Sequence, residues 1–328
     1  MTSRRSAGFR FSGSMQGATI LGRVRVVLIC VAVLVACMGT SFDARCESVF
    51  RRESAWPVLL NVAHAGASSL APQNTLVAGQ AALAVGADVW GVDVRRTKDG
   101  VFVLMHDETL ERTTDVEARF PARSPWRVAD FTLDEIRTLD AGSWFVEQDP
   151  FEQIAQGAVS QVDAASYAGE AVPTLREALD FVASHDWLMD IEVKAPFDVE
   201  AEVVAAELLS LLLETGTQDR VLISSFDWDF LEALRRVAPE LAIGALAILP
   251  PPRTLAALQE LQVDVYLPSV VGFTAALLAD LEEAGIRVIV WTYNAEAQLQ
   301  YAIGLPGIDG IYTDFPQRLA PLIAEGEP

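Results

Sequence analysis

Histidine is the side chain whose charge changes near neutral pH, so two of them at one cavity can serve as acid and base. His64 and His106, two of the chain's three histidines, are placed for that work. Each follows a short apolar run, Val58 to Ala63 before the first and Val101 to Met105 before the second. Runs of this kind read as strands, which puts each histidine where a strand meets a loop. Parallel α/β folds build their active sites in that position. The third histidine, in Ser184-His185-Asp186, falls at a predicted helix end and reads as a surface residue. Lys194 follows an alternating strand and is one of very few lysines in an arginine-rich chain. Gly91 and Asp93 lie two apart in another predicted strand and share a face, while Asp88 points to the other.

The scaffold that must position these groups is legible as a rhythm. From Val58 onward β-rich runs alternate with helical patterns, the signature of a parallel sheet wrapped by helices. Predicted strands start near Val58, Val89, Val101, Leu188, Val221, Ala242, Val263, Val288 and Gly310, with predicted helices between them. Thr174-Leu175-Arg176-Glu177 reads as a capping box that starts one of these helices. The rhythm breaks at about 116–172, which carries one helical piece, Thr132 to Leu139, and no strand, so it reads as an inserted cap. Trp144 and Phe145 within it either line an entrance or pin the insertion to the barrel.

An ordered series of short motifs runs along the same segment. It comprises His64-Ala65-Gly66, Pro72-Gln73-Asn74-Thr75, Gly86-Ala87-Asp88 through Gly91-Val92-Asp93-Val94, Thr97-Lys98-Asp99-Gly100, and His106-Asp107 through Arg112-Thr113-Thr114. Downstream come Pro173-Thr174-Leu175, Asp190-Ile191-Glu192-Val193-Lys194, Ser225-Phe226, Val290-Trp291-Thr292-Tyr293-Asn294 and Asp309-Gly310 through Pro316. Together they resemble the glycerophosphodiester phosphodiesterase family over nearly all of the chain after about Val58.

The resemblance implies a TIM (β/α)8 barrel with an inserted cap segment. It implies hydrolysis of a glycerophosphodiester to glycerol 3-phosphate and an alcohol, with His64 and His106 as acid and base. It implies a hard divalent cation, Ca²⁺ or Mg²⁺, held by Asp93 and Glu192. Lys194 would pair with a phosphate oxygen, Gln73 would offer an amide oxygen to the pocket, and Trp291 would wall it. Three positions depart from the family pattern: Gly91 replaces the glutamate of E-x-D, Ala65 replaces the arginine after the first histidine, and Gln73 replaces the glutamate of P-E-N-T. The implied metal site is therefore weakened, and position 91 is expected to have room for a restored carboxylate. Asn74 is expected to make hydrogen bonds that hold the first loop.

Composition bounds what else the chain can do. With 328 residues, 51% of them hydrophobic, it can bury a full-sized core, and one barrel of roughly 250 residues accounts for most of it. A net charge of −21 argues against nucleic acid, or an anionic membrane surface, bound through a basic patch. The first 46 residues differ, with six arginines against Asp43 alone and an apolar run from Val26 to Met38. That run fits a secretory signal, with an uncleaved anchor as its rival, and Leu34-Val35-Ala36-Cys37 resembles a lipobox. The expected division is a signal or anchor over 1–46 and the barrel over 47–328, secreted or periplasmic, with membrane contact only through that N-terminus. All three cysteines, Cys30, Cys37 and Cys46, lie in the signal segment, so the barrel has no disulfide. Two rivals to a glycerophosphodiesterase are a binding protein that holds a phosphodiester without turning it over, and a phosphodiesterase acting on lysophospholipids.

The lipobox generates a first prediction: the mature chain begins at Cys37 and carries lipid. Intact mass of membrane-extracted protein checks it, and an unmodified N-terminus refutes it.

Overall fold

Nine strands are found among the described residues of the computed structural model, which are 48–51, 56 and 59–326. They are β1 (Leu60–His64), β2 (Val89–Arg96), β3 (Phe102–Leu104), β4 (Leu188–Val193), β5 (Val221–Ser225), β6 (Ala242–Ala247), β7 (Val265–Pro268), β8 (Arg287–Val290) and β9 (Gly310–Thr313). All but β3 run parallel in the order β1-β9-β8-β7-β6-β5-β4-β2, and β1 also pairs with β2, which closes the ring. Each barrel strand is followed by a helix: α1 (Leu76–Ala84), α2 (Leu175–Ser184), α3 (Ala201–Thr215), α4 (Trp228–Val237), α5 (Thr254–Glu260), α6 (Ala275–Glu283), α7 (Glu296–Ile303) and α8 (Pro316–Gly326). This is the TIM barrel that the family resemblance implies, with the parallel strands and intervening helices that the alternating pattern indicates. The N-terminal residues expected to form a signal or anchor, with the three cysteines, lie outside the described residues. No described helix is long and apolar enough to cross a membrane.

One predicted strand has a different role. β3 pairs antiparallel with β2 and stands outside the barrel ring. Thr97-Lys98-Asp99-Gly100 makes the turn: Gly100 adopts φ +86°, its N–H donates to the Thr97 carbonyl at 3.0 Å, and Thr97 N–H donates to Val101 at 2.9 Å. A parallel pairing would need a crossover of a dozen or more residues, which the few between Arg96 and Phe102 cannot supply. The hairpin carries His106 back to the mouth of the barrel.

The insertion after β3 has no strand and folds from short helices, Val116–Arg119, Leu133–Ile136, Ser143–Gln148 and Gln161–Ser166. It is anchored by two apolar clusters. One joins Val116, Phe131, Ile136 and Leu139 to Val103 and Met105, and the other joins Phe145, Val159 and Tyr167 to Ala71 and Ala78 of the first loop and α1. Phe145 is buried and Trp144 donates its indole N–H to the Ala141 carbonyl at 2.9 Å, so both are anchors. The Thr174–Glu177 capping box forms as the sequence indicates.

The strand period of two layers the barrel interior. Val62, Val89, Leu222, Val265 and Ile289 fill its lower part. Above Val89 on the inward face of β2 come Gly91 and Asp93, and on β4 Asp190 and Glu192 follow Leu188 in the same way. Asp93 and Glu192 are register partners, so two carboxylates stand side by side at the mouth.

Outside the ring, Trp90 stacks on Trp187 with ring centroids 5.9 Å apart and packs under α1. A β-carbon on Gly79 of that helix would come within 2.6 Å of the Trp90 ring. Gly79→Ala should therefore destabilise the barrel by about 1–3 kcal/mol, the usual cost of overpacking. The check is urea unfolding; an unchanged midpoint would mean that α1 can lift away freely.

Candidate active site

A cavity of about 160 Å³ opens at the C-terminal mouth of the barrel, and His64, Asp93, His106, Glu192, Lys194 and Trp291 all line it. Six of the seven residues that the sequence singles out therefore converge. Gln73 does not join them. Its Oε1 accepts from Arg112 Nη1 at 3.3 Å, and it lines a separate small recess on the far side of His106.

His64 is the last residue of β1, where Ala65 (φ 55°) and Gly66 (φ 88°) turn the chain sharply. Its Nδ1 lies 2.7 Å from Asp314 Oδ1, just past the end of β9. Asp314 is held in turn by Ser68 Oγ at 3.0 Å and by Asn294 Nδ2, which donates at 2.6 Å. Burial alone would lower the His64 pKa, but the Asp314 hydrogen bond and charge, with Asp93 and Glu192 beyond, raise it. Burial would likewise raise Asp314, yet His64, Asn294 and Ser68 hold it below the ordinary carboxylate range.

His106 is oriented the same way from the hairpin. Its Nδ1 lies 2.6 Å from Asp107 Oδ1, and Asp107 also accepts from the Arg112 guanidinium. The His106 and Arg112 hydrogen bonds hold Asp107 well below the usual range, against the effect of burial. Two imidazoles, each held at Nδ1 by an aspartate, thus border one cavity. His185 caps α2 away from it, donating to the Phe181 carbonyl at 2.8 Å.

Between the histidines sits a charge cluster. Lys194 Nζ lies 2.9 Å from Asp93 Oδ1 and 2.5 Å from Glu192 Oε1. Asn74 clamps Asp93 from behind: its Nδ2 donates to Oδ2 at 2.8 Å and its Oδ1 accepts the Asp93 N–H at 3.0 Å. Burial would raise Asp93, but Lys194 and the two histidines hold it low. Glu192 is raised, by burial first and then by the Asp93 charge. Burial would lower Lys194, and its two carboxylate neighbours outweigh this and raise it.

Asp93 and Glu192 could each give an oxygen to a divalent cation of the kind on which this family generally depends, with substrate phosphate oxygens and water completing its shell. In this structure the Lys194 ammonium stands at the point on which the two carboxylates converge. Position 91 is not open to a third ligand. A β-carbon there would meet the Tyr312 ring at 2.7 Å and the Ala63 carbonyl at 3.3 Å, so the expectation of room for a restored carboxylate fails on packing. Tyr312, on β9, fills the space and donates its hydroxyl to Asp190, which also accepts from Ser224 Oγ at 2.7 Å. Burial pushes the Asp190 carboxyl up to about 7.

Asp314, Asp107, Asp190 and Tyr312 are absent from the sequence-derived site. Asp190 and Asp107 carry local signals, the first standing two residues before Glu192 in one strand and the second directly following His106. Arg95 is a further cation at the rim, beside His106 and Lys194 in the outer recess.

The glycerophosphoryl diester phosphodiesterase family model matches residues 64–318. A glycerophosphodiester phosphodiesterase of Caldanaerobacter subterraneus subsp. tengcongensis is 33% identical over 271 residues, covering 81% of this chain and 98% of the relative. A Bacillus subtilis glycerophosphodiester phosphodiesterase is 31% identical over 266 residues, covering 79% and 84%. Among solved structures, an Oleispira antarctica phosphodiesterase in complex with the product sn-glycerol-3-phosphate superposes with TM-score 0.67 at 27% identity, covering 80% of this chain and 96% of that one.

The His64–Asp314 contact generates a pH prediction. Its folded pKa is raised above the unfolded value of about 6.5, so the stability it contributes is complete below that pH and is lost as pH rises through the folded value. Asp314→Asn should accordingly cost more stability at about pH 5.5 than at about pH 8.5, and should lower the His64 titration midpoint followed by NMR. A cost that is flat across this range would show that Asp314 does not hold the His64 proton.

Proposed function

The chain belongs to the glycerophosphoryl diester phosphodiesterase family, and from that premise we propose that it hydrolyses glycerophosphodiesters to glycerol 3-phosphate and an alcohol, with His64 and His106 as the acid–base pair. The observation that carries this reading is two carboxylate-held histidines bordering a cavity around a lysine ammonium. The product bound to the Oleispira relative supports the same substrate class.

The step balances with these residues alone. One imidazole takes a proton from water as its oxygen bonds to phosphorus. The bond from phosphorus to the alcohol oxygen breaks, and the other imidazole gives that oxygen a proton. Each histidine presents its Nδ1 to an aspartate, which leaves Nε2 as the free ring nitrogen, and at His64 the aspartate also raises the pKa. Non-bridging phosphate oxygens gather negative charge as the new bond forms, and Lys194 supplies compensating charge from a largely buried position. Lys194 thus stands where the resemblance places a divalent cation. Asn74 keeps Asp93 facing the ammonium, and Asp93 with Glu192 keeps the ammonium charged.

His64→Ala and His106→Ala should each lower turnover of glycerophosphocholine by about 10²–10⁴-fold, with His185→Ala near neutral. Lys194→Met should cost about 10²–10³-fold, as loss of a donor to a developing oxyanion does. Exhaustive chelation should lower wild-type turnover, and Ca²⁺ or Mg²⁺ should restore it, as expected of a cation at Asp93 and Glu192. Turnover that persists unchanged would leave Lys194 as the compensating charge without a metal. No turnover of any glycerophosphodiester would leave the binding-protein reading.

A further inference from the structure

The two histidines reach the cavity by different routes. His64 ends β1, a strand of the ring, where it stands opposite Gly91 in register, and its partner Asp314 follows β9, the strand on the other side of β1. The ring therefore fixes both members of that pair. His106 follows β3, which stands outside the ring, and its partner Asp107 is the next residue of the same segment. Such a contact orients the imidazole but moves with the segment that carries it. Arg112, which holds Asp107, belongs to that segment too. Contacts from the barrel itself must set where His106 stands.

Two such ties come from β2. The Met105 N–H donates to the Asp93 carbonyl at 2.9 Å, and beyond it Arg95 takes over. Arg95 follows Gly91 and Asp93 by the strand period of two, so it extends the inward face of β2 one step toward the mouth. Its Nε donates to the His106 carbonyl at 3.0 Å and its Nη1 to the Ala195 carbonyl at 3.2 Å. Ala195 is the residue after Lys194, whose own N–H donates to the Val94 carbonyl at 3.1 Å. One guanidinium thus spans the backbone of the histidine and the backbone beside the lysine. Arginine suits this task because its donors lie in a rigid planar fork. Burial lowers its pKa, against the charges of Glu108, Asp93 and Asp107. Both acceptors are neutral carbonyls, so these contacts fix backbone rather than neutralise charge.

We propose that Arg95 is a positioning residue for the phosphodiesterase reaction: by bridging the His106 and Ala195 carbonyls it sets the distance between the hairpin imidazole and the Lys194 ammonium. The proposal rests on the phosphodiesterase reading above and adds to it a residue that acts through His106 rather than on the substrate. Its weight comes from the tolerance of the chemistry. Proton transfer needs the imidazole within hydrogen-bond reach of the oxygen it serves, about 2.6–3.2 Å. A displacement of about 1 Å can cost roughly 100-fold in rate. His64 has no such dependence on Arg95, because the ring sets its place.

The test is a mutant cycle on turnover of glycerophosphocholine, with slow variants followed at enzyme in excess of substrate. Arg95→Ala should lower kcat by roughly 10–100-fold while KM changes by less than about threefold. Arg95→Lys, which keeps the charge without the fork, should stay closer to the alanine variant than to the wild type. In a His106→Ala background Arg95→Ala should cost less than about threefold, because the group it positions is gone, whereas in a His64→Ala background it should keep its full effect. Urea unfolding identifies any variant that is not folded, and Arg95→Gln then takes the place of alanine. A kcat unchanged by Arg95→Ala overturns the inference, as does full activity in Arg95→Lys, which would make charge the requirement. A raised KM with kcat intact would place Arg95 on the substrate and overturn it as well. An equal loss in both histidine backgrounds would mean a general loosening of the mouth, which also overturns it. Each of these outcomes leaves the phosphodiesterase reading standing. A wild type without turnover removes that reading, and this inference with it.

Discussion

Two carboxylates cannot sit side by side in a barrel mouth without a cation between them, and the site is organised by how this chain meets that constraint. Asp93 and Glu192 are register partners on adjacent parallel strands, so their backbones fix them next to each other. Bringing charges out of water costs several kcal/mol per ion even after relaxation, and only close compensation with satisfied hydrogen bonds makes it tolerable. Lys194 supplies the compensation from the strand end that already carries Glu192, and Asn74 satisfies the other oxygen of Asp93. The histidines then experience a field set by this cluster, which reinforces the proton that Asp314 holds on His64.

The layer beneath shows how the barrel fills its interior at a glycine. Interior volume is close-packed, so the space beside Gly91 must be taken by another side chain. It is taken from across the ring, where the Tyr312 ring occupies the space that a β-carbon would enter. Its hydroxyl needs an acceptor in so buried a place, and Asp190, the register partner of Gly91, provides one. Asp190 has Ser224 as a second partner. An acid thus stands beside position 91, one layer below Asp93 and Glu192, raised by burial and committed to hydrogen bonds. The glycine, the tyrosine and the aspartate form one packing unit.

The fold was open to a reading from the sequence because its signals are local. The alternation of strands and helices, the Thr174 capping box, and the starts of β6 at Ala242 and β9 at Gly310 all depend on neighbours in the chain. β3 was misplaced in the parallel series although its evidence was also local, since a turn ending in Gly100 leaves room only for a hairpin. The site divided along the same line. His64, His106, Asp93, Glu192, Lys194 and Trp291 belong to recognisable motifs and meet in one cavity. Their partners were not legible: Asp314 reaches His64 across 250 positions of sequence, and Tyr312 reaches Asp190 across 122. Motif spacing names the groups that react, whereas ring closure decides which of them touch. Gln73 shows the converse, a motif residue that Arg112 draws away from the cavity.

Ring closure also couples the residues around position 91. β1 must pair with both β2 and β9 to complete the barrel, which sets His64 opposite Gly91 and Val62 opposite Tyr312 and so brings three separate segments of chain together. A change at any of the three alters the packing of the others, and His64 meets the Tyr312 ring edge-on at 6.1 Å. Restoring a carboxylate at position 91 would therefore have to move the tyrosine that borders the histidine. Tyr312 would in turn release Asp190, leaving a buried acid without its phenol partner. The charge arrangement around Lys194 is thus coupled by packing to the seam where the barrel closes, and it can change only with that seam.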